Sequence, residues 1–382
     1  MLNKKFFLVT ILLNFLCVKI FSNNTYFVRI GILKDVRSFE LSPYEKQIII
    51  VKPLSGKIST LKLKDKTKVF LEENNRIKIL NKYYILPVKI SSEGKLKING
   101  NIYPQEIEVF SQDKKTLTVV NILDIETYLY GVVPYEIDTN WSEEMLKVQS
   151  IIARSYTIAN FDRHKNDGYD LCSAVHCQVY KGINEEIFTK VKKAVDSTKG
   201  LVIVDNKENP IQAYYHAACG ADGTENVVDI WQKVKDFKYL SGVKCDYCKD
   251  SPYYSWRYQI SQEEMVKKLE VYGVGLKDKI KNIKIISSTK TKRAKEFEIV
   301  TSSLSFKIKA EELRKNLGYN NIKSAKISKI ELNNENITFY GRGWGHGVGL
   351  CQWGANNMSK KGYKFDNIIK HYYPHTKIKK LY

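Results

Sequence analysis

From residue 26 to about 120, apolar and polar residues alternate over short runs: FVRIGIL, QIIIVK, RIKIL, LKING, IEVF and TLTVV. Side chains of an extended strand point to opposite faces in turn, so a period of two marks strands buried on one face. Pro53, Gly56, Asn74, Asn75, Gly94 and Pro104 separate the runs, which predicts a β-rich unit of short strands joined by turns. The period then changes. Met145, Val148, Ile152, Tyr156 and Ala159 recur at helical spacing behind Ser142, whose hydroxyl can cap a helix. Glu143 and Glu144 suit the positive end of that helix dipole. A second helix is expected from about Glu185 to Thr198, with Ile187, Val191 and Val195 on one face and Gly200 as its stop.

Downstream, GLVIVDN and IQAYYHAAC predict a hairpin turning across Lys207 to Pro210. Residues 255 to 330 are Lys-rich and less periodic, with a helix near 262–272, strands near 283–286 and 296–308, and a helix near 310–317. Two short helices are expected at the end, about 352–361 and Phe365 to Tyr373, the latter stopped by Pro374. The fold class is therefore α+β: a β-rich N-terminal half, a helical segment carrying the candidate acid described below, and a mixed α/β elaboration. Its expected divisions are 1–22, a targeting segment; 23–120, the β-rich part; 121–225, the core with its helices; 226–334, a Lys-rich elaboration or subdomain; and 335–382, a Gly-rich closing segment that completes the core.

Lys4 and Lys5 precede an apolar run from Phe6 to Val18, and Ser22, Asn23 and Asn24 follow it. A basic start, a short apolar stretch and a polar exit describe a secretory signal; a spanning helix needs about 20 apolar residues. Bulky Phe15 and Leu16 ahead of Cys17 argue against lipid attachment there. The expected location is the periplasm or cell envelope. The formal charge is +21, and removing residues 1–22 takes away three lysines and no acid, leaving +18. An exported protein meets no genomic DNA, so nucleic acid is not the expected partner. Anionic envelope polymers match this field, although part of the lysine excess reads as a solvated surface.

Three stretches then stand out in order: GVVPYEI…W…LKVQSIIARSY, CSAVHCQVYKG, and GRGWGHGVGLCQWGANNMSKKGYKFDNIIKHYYPHT. Together they resemble the stage II sporulation protein D / amidase-enhancer (SpoIID/LytB) family, over residues 120–225 and 335–382. The resemblance implies an exported lytic transglycosylase that cleaves MurNAc–GlcNAc bonds of peptide-stripped peptidoglycan glycan strands and leaves 1,6-anhydro-MurNAc ends. Its amidase-enhancer branch implies an alternative, a non-catalytic glycan-binding module partnered with an N-acetylmuramoyl-L-alanine amidase. Sporulation does not follow from the likeness.

By motif position Glu136 matches the family's catalytic glutamate. Pro134 is expected to hold Val133 extended and to present Glu136 from a rigid turn. Most glycosidases need two carboxylates. One suffices here if the muramic acid's own primary hydroxyl attacks the anomeric carbon, provided the carboxyl arrives protonated and so is partly desolvated. Lys147 and Arg154, two turns apart on one helix face, match positions where the family carries Lys and Arg and are expected to flank a substrate groove. The glycine-dense GRGWGHGVGLCQWG lacks the Lys-Ser/Thr of a phosphate loop. Its glycines suit close passage of the backbone past a ligand or another strand. Trp344 and Trp353 offer faces for sugar stacking, and His346 and Gln352 join them as candidate substrate contacts; a buried structural role competes for His346.

His164, Cys172, His176 and Cys177 form a donor set suited to tetrahedral zinc, where some relatives bind that metal. A Cys172–Cys177 disulfide is the rival in an exporting compartment. Cys245 and Cys248 form a separate CxxC pair, with Cys219 and Cys351 as further members of a structural metal site or disulfide set. A zinc hydrolase is disfavoured, since HExxH is absent from the sequence.

Overall fold

The alternating N-terminal runs pair into two sheets whose apolar faces share one core. The computed structural model describes residues 25–45, 47–231 and 233–382; the targeting segment expected at 1–22, with Cys17, lies outside them. The first sheet has seven strands in the order Leu171–Cys172, Phe27–Val36, Leu117–Asp124, Glu106–Phe110, Val88–Ser92, Ile48–Pro53 and Ser59–Lys62. Only Leu171–Cys172 runs parallel to its neighbour. The second has six: Asn101–Tyr103, Lys95–Ile98, Ser38–Tyr44, Thr67–Glu72, Arg76–Ile79 and Lys82–Ile85. Ile49, Val51, Ile90 and Val109 of the first sheet and Leu41, Val69, Ile77 and Leu96 of the second are buried in that core, every second residue of their strands.

The central helix runs from Glu143 to Ala159, and its Ser142 hydroxyl accepts the Met145 N–H at 3.1 Å as expected of a cap. Twelve of its residues are buried. They are covered by helix Phe188–Ser197, strand Leu201–Val204 and the two C-terminal helices, Gln352–Lys360 and Phe365–Tyr372.

The hairpin expected across Lys207 to Pro210 forms only at its turn. Asp205 N–H reaches Asn209 O at 2.9 Å and Ile211 N–H reaches Ile203 O at 3.1 Å. Beyond it the strands separate: Leu201–Val204 pairs antiparallel with Lys377–Lys380, and Tyr215–His216 pairs parallel with Leu350–Cys351. Local alternation reports that a segment is extended; the partner is chosen by packing from far along the chain.

A second core sits apart, built from Trp256 to Phe339. Two three-stranded sheets, Trp256–Ser261/Asn336–Gly341/Ile327–Leu332 and Ile280–Ser288/Ala294–Thr301/Ser305–Lys309, pack with helices Gln262–Leu269 and Ala310–Leu317. The expected 226–334 division shifts accordingly. Val227, Tyr239, Leu240, Cys245 and Cys248 bury in the main core, while Ile337 and Phe339 close the second.

The alternate glycines of GRGWGHGVG serve close passage of another strand. Gly343, Gly345, Gly347 and Gly349 all have positive φ, and the segment runs against residues 214–220. Trp344 and Ala218 exchange backbone hydrogen bonds of 2.8 and 3.1 Å, and Leu350 N–H reaches Tyr214 O at 3.0 Å. At Gly349, φ is 71° and a Cβ would lie 2.0 Å from Tyr214 O, so both conformation and space exclude a side chain. Gly349→Ala is expected to cost more than about 1–2 kcal/mol. A lowered urea midpoint with unchanged slope checks this.

Candidate active site

Glu136 is the last residue of a one-turn helix, Val133–Glu136. The expectation that Pro134 holds Val133 extended is corrected: Val133 is helical, and the chain becomes extended only at Ile137, with φ −138° and ψ 162°. Tyr135 and Glu136 N–H groups bond Val132 O at 3.0 and 3.2 Å, and Ile137 N–H bonds Val133 O at 3.2 Å. A proline in the first turn of a helix removes an N–H that the turn does not use.

The carboxyl of Glu136 is held from the opposite side. Its Oε1 accepts the Val179 N–H at 2.8 Å, and the Tyr215 hydroxyl also bonds it. Gln178, fully buried, donates its Nε2 to the Tyr215 oxygen at 3.4 Å and accepts the Thr157 hydroxyl at 2.9 Å. With its oxygen occupied by Gln178, the Tyr215 hydroxyl directs its proton to Glu136. Behind the acid, Gln352 Nε2 lies 3.3 Å from both Glu136 O and Gln149 Oε1. Burial pushes the Glu136 pKa up to about 7; the Val179 N–H and the Tyr215 hydroxyl pull the other way by favouring the charged form. Tyr215 and Gln178 were not singled out in the sequence. Tyr215 sits in an apolar run whose signal was strand, and Gln178 lies within the CSAVHCQVYKG stretch without a distinguishing pattern.

Arg154 is not in a groove. It is fully buried, and its guanidinium forks onto Glu126 at 2.9 and 2.6 Å while Nη1 donates to Leu201 O at 3.0 Å. Glu126 also accepts the Gly200 N–H at 3.2 Å and the Tyr382 hydroxyl at 2.5 Å. Lys147 is likewise engaged, 3.1 Å from both Glu143 and Glu144 one turn away. The two cations do share a helix face, but that face is covered by packing at Arg154 and by acids at Lys147.

Trp353 and Trp344 belong to a partly exposed aromatic row. Trp141 meets Trp353 edge-on at 5.2 Å, Trp353 meets Tyr253 at 6.5 Å, and Tyr253 meets Trp344 at 4.5 Å. Trp353 directly follows Gln352, whose Nε2 lies 3.3 Å from the Glu136 carbonyl oxygen, which ties this end of the row to the Glu136 segment. His346 is placed differently. Its Nδ1 accepts the Val348 N–H at 3.0 Å, its ring bonds the Tyr215 backbone, and it packs on Trp231 at 5.0 Å. Burial first, then Arg293 and Arg314, push its pKa down to about 3, so it is a neutral imidazole. It lines a cleft of about 870 Å³ with Arg163, Trp231 and Arg314, and it bonds the backbone of Tyr215, whose hydroxyl reaches Glu136.

The donor atoms of His164, Cys172, His176 and Cys177 converge within 4.8 Å of one another. His176 Nδ1 lies 3.2 Å from His164 Nε2, 3.7 Å from Cys172 Sγ and 3.6 Å from Cys177 Sγ. His176 and Cys177, although adjacent in sequence, aim at one point. Asp167 bonds His164 Nδ1 at 2.7 Å and leaves Nε2 as the ligand atom, the carboxylate–imidazole arrangement common around zinc. The residues fit a tetrahedral zinc, and no disulfide joins the six described cysteines. Cys219, Cys245, Cys248 and Cys351 form a second, wholly buried convergence.

Residues 113–204 match the family model described as Stage II sporulation protein, and residues 205–349 match one described as a domain of unknown function. Stage II sporulation protein D of Bacillus subtilis is 32% identical over 274 residues, 68% of this chain and 75% of that protein. An uncharacterized protein of Brachyspira hyodysenteriae is 32% identical over 279 residues, 72% of each chain. The Amidase enhancer of Bacillus subtilis is 26% identical over 293 residues, 65% of this chain and 40% of its own length. The α+β core therefore has known counterparts. The chain belongs to the Stage II sporulation protein D family.

Replacing Arg154 by Leu leaves the Glu126 carboxylate buried without its partner, so stability is expected to fall by about 3–5 kcal/mol. Arg154→Lys recovers only part of this, because an ammonium cannot fork onto both carboxylate oxygens. Denaturant titration of the two variants measures the difference.

Proposed function

We propose that the protein is an exported peptidoglycan lytic transglycosylase in which Glu136 alone is acid and then base. The observation that carries this reading is one carboxyl, partly buried, with its pKa near neutrality and an aromatic row leading away from it. Protonated Glu136 gives its proton to the glycosidic oxygen between MurNAc and GlcNAc, and the bond to the anomeric carbon breaks. The muramyl C6 hydroxyl attacks that carbon, its proton passes to the Glu136 carboxylate, and the 1,6-anhydro ring closes. The acid is regenerated without water.

Several features support the assignment of parts. Val179 N–H fixes one carboxyl oxygen, and the Tyr215 hydroxyl steadies the charge that appears when the proton leaves. Trp141, Trp353, Tyr253 and Trp344 supply flat apolar faces for sugar rings. The charge of +18 that remains once residues 1–22 are removed suits an anionic polymer of the envelope. Zinc held by His164, Cys172, His176 and Cys177 would act structurally, anchoring the loop that ends at Val179. The amidase-enhancer likeness supports a second role, binding of glycan beside an N-acetylmuramoyl-L-alanine amidase.

Peptide-stripped glycan strands incubated with the protein should acquire anhydro-muramyl ends detectable by mass spectrometry, and Glu136→Gln should abolish them. Intact strands that still bind would select the amidase-enhancer role, and reducing muramic acid ends would exclude the single-carboxylate mechanism.

The reaction needs the protonated acid, so kcat/KM should fall tenfold per unit as pH rises above about 7. Tyr215→Phe removes a hydrogen bond that favours the carboxylate, so this limb should move up by about one unit. Stability follows the same sign. A carboxyl whose folded pKa lies above its unfolded value contributes fully below about 4.5 and loses that contribution as pH rises through 7. Glu136→Gln should therefore be more stable than the parent above pH 7, by roughly 1–3 kcal/mol, and equal to it near pH 4.

A further inference from the structure

We infer that Cys219, Cys245, Cys248 and Cys351 bind one zinc ion as a tetrathiolate, separate from the His/Cys site near Glu136. The four side chains are almost completely buried, and their Sγ atoms lie within 4.8 Å of one another. They arrive from three distant parts of the chain: the segment after strand Tyr215–His216, the loop carrying Cys245 and Cys248, and the residue before helix Gln352–Lys360.

The spacing suits a single tetrahedral ion. Four sulfurs at about 2.3 Å from a tetrahedral zinc stand about 3.8 Å apart, and the Cys219 and Cys248 sulfurs are 3.4 Å apart. A four-iron cluster must fit inside its sulfurs and needs them farther apart than this. A disulfide would bring sulfurs to about 2.05 Å in pairs and draw the pairs away from each other; here each sulfur is near all the others. The surroundings suit thiolate. Cys351 Sγ accepts N–H groups from Cys219 at 3.3 Å and Gly354 at 3.4 Å, and the Tyr372 hydroxyl lies 3.2 Å from Cys245 Sγ. Arg293 holds the Cys219 carbonyl at 2.8 Å and so fixes that ligand's backbone.

The ion would be a staple for the closing segment. Cys351 immediately precedes Gln352 and Trp353, the residues that back Glu136 and join the aromatic row. Joining Cys351 to Cys219, Cys245 and Cys248 fixes the start of that helix against the loop after Tyr215, the residue that bonds the acid's carboxyl.

Metal content and thiol state test this directly. Purified protein carrying Cys172→Ser and Cys177→Ser, which lacks the other site, should retain one zinc per chain by elemental analysis. After exchange it should show the cobalt(II) absorption of a tetrathiolate rather than of a mixed nitrogen–sulfur site. Adding Cys248→Ser should remove that ion and those bands. The Cys172→Ser/Cys177→Ser protein gives the answer even if Cys248→Ser fails to fold. No bound metal in it, a spectrum with nitrogen ligands, or alkylation mapping that finds these four cysteines paired as disulfides in protein isolated from its own cells would each overturn the proposal.

Discussion

A buried ion pair organises the helical core around Glu136. Glu126 and Arg154 are both withdrawn from solvent, a costly placement unless every polar atom is matched. The match is made by five segments. The helix of Glu126, the central helix of Arg154, the end of helix Phe188–Ser197, strand Leu201–Val204 and the C-terminal Tyr382 all deliver an atom to it. Tyr382 is thereby part of the knot, and the short sheet of Leu201–Val204 with Lys377–Lys380 lies just beside it.

The pair also shapes the chemistry by what it keeps away. Arg154 spends its charge on Glu126, and Lys147 spends its own on the first turn of its helix. The influences on Glu136 are then burial, one backbone N–H and one tyrosine hydroxyl. A guanidinium against the carboxyl would have held it ionised. Instead the two hydrogen bonds position it while burial keeps a proton within reach near neutral pH. Gln178 completes this by occupying the Tyr215 oxygen.

The acid, the Val179 backbone and the Gln352 side chain come from separate stretches of sequence, and the Gly-rich segment brings the last of them into place. Its positive-φ glycines let residues 343–350 lie against 214–220 where a Cβ would collide. The glycine density is therefore packing chemistry, in keeping with the lack of a phosphate-loop lysine.

Much of the architecture was legible locally. Period-two runs marked the N-terminal strands, Ser142 marked the start of the central helix, and the order of three motifs marked Glu136, because each depends on residues close in sequence. Partners were not legible. The strand at Leu201 chose Lys377–Lys380 over its neighbour across the turn, since an exposed edge is satisfied by whichever strand the core brings near. Arg154 read as a groove cation because helical spacing gives a face but not what covers it. Tyr215 was hidden in an apolar run, and the convergence of Cys219, Cys245, Cys248 and Cys351 required four sulfurs to meet across more than a hundred residues. The sequence by itself marked most of the elements, the candidate acid and the donor types. Only the tertiary structure decided which charges are neutralised, which hydroxyl serves the acid and which thiols meet, because those depend on distances that no local pattern encodes.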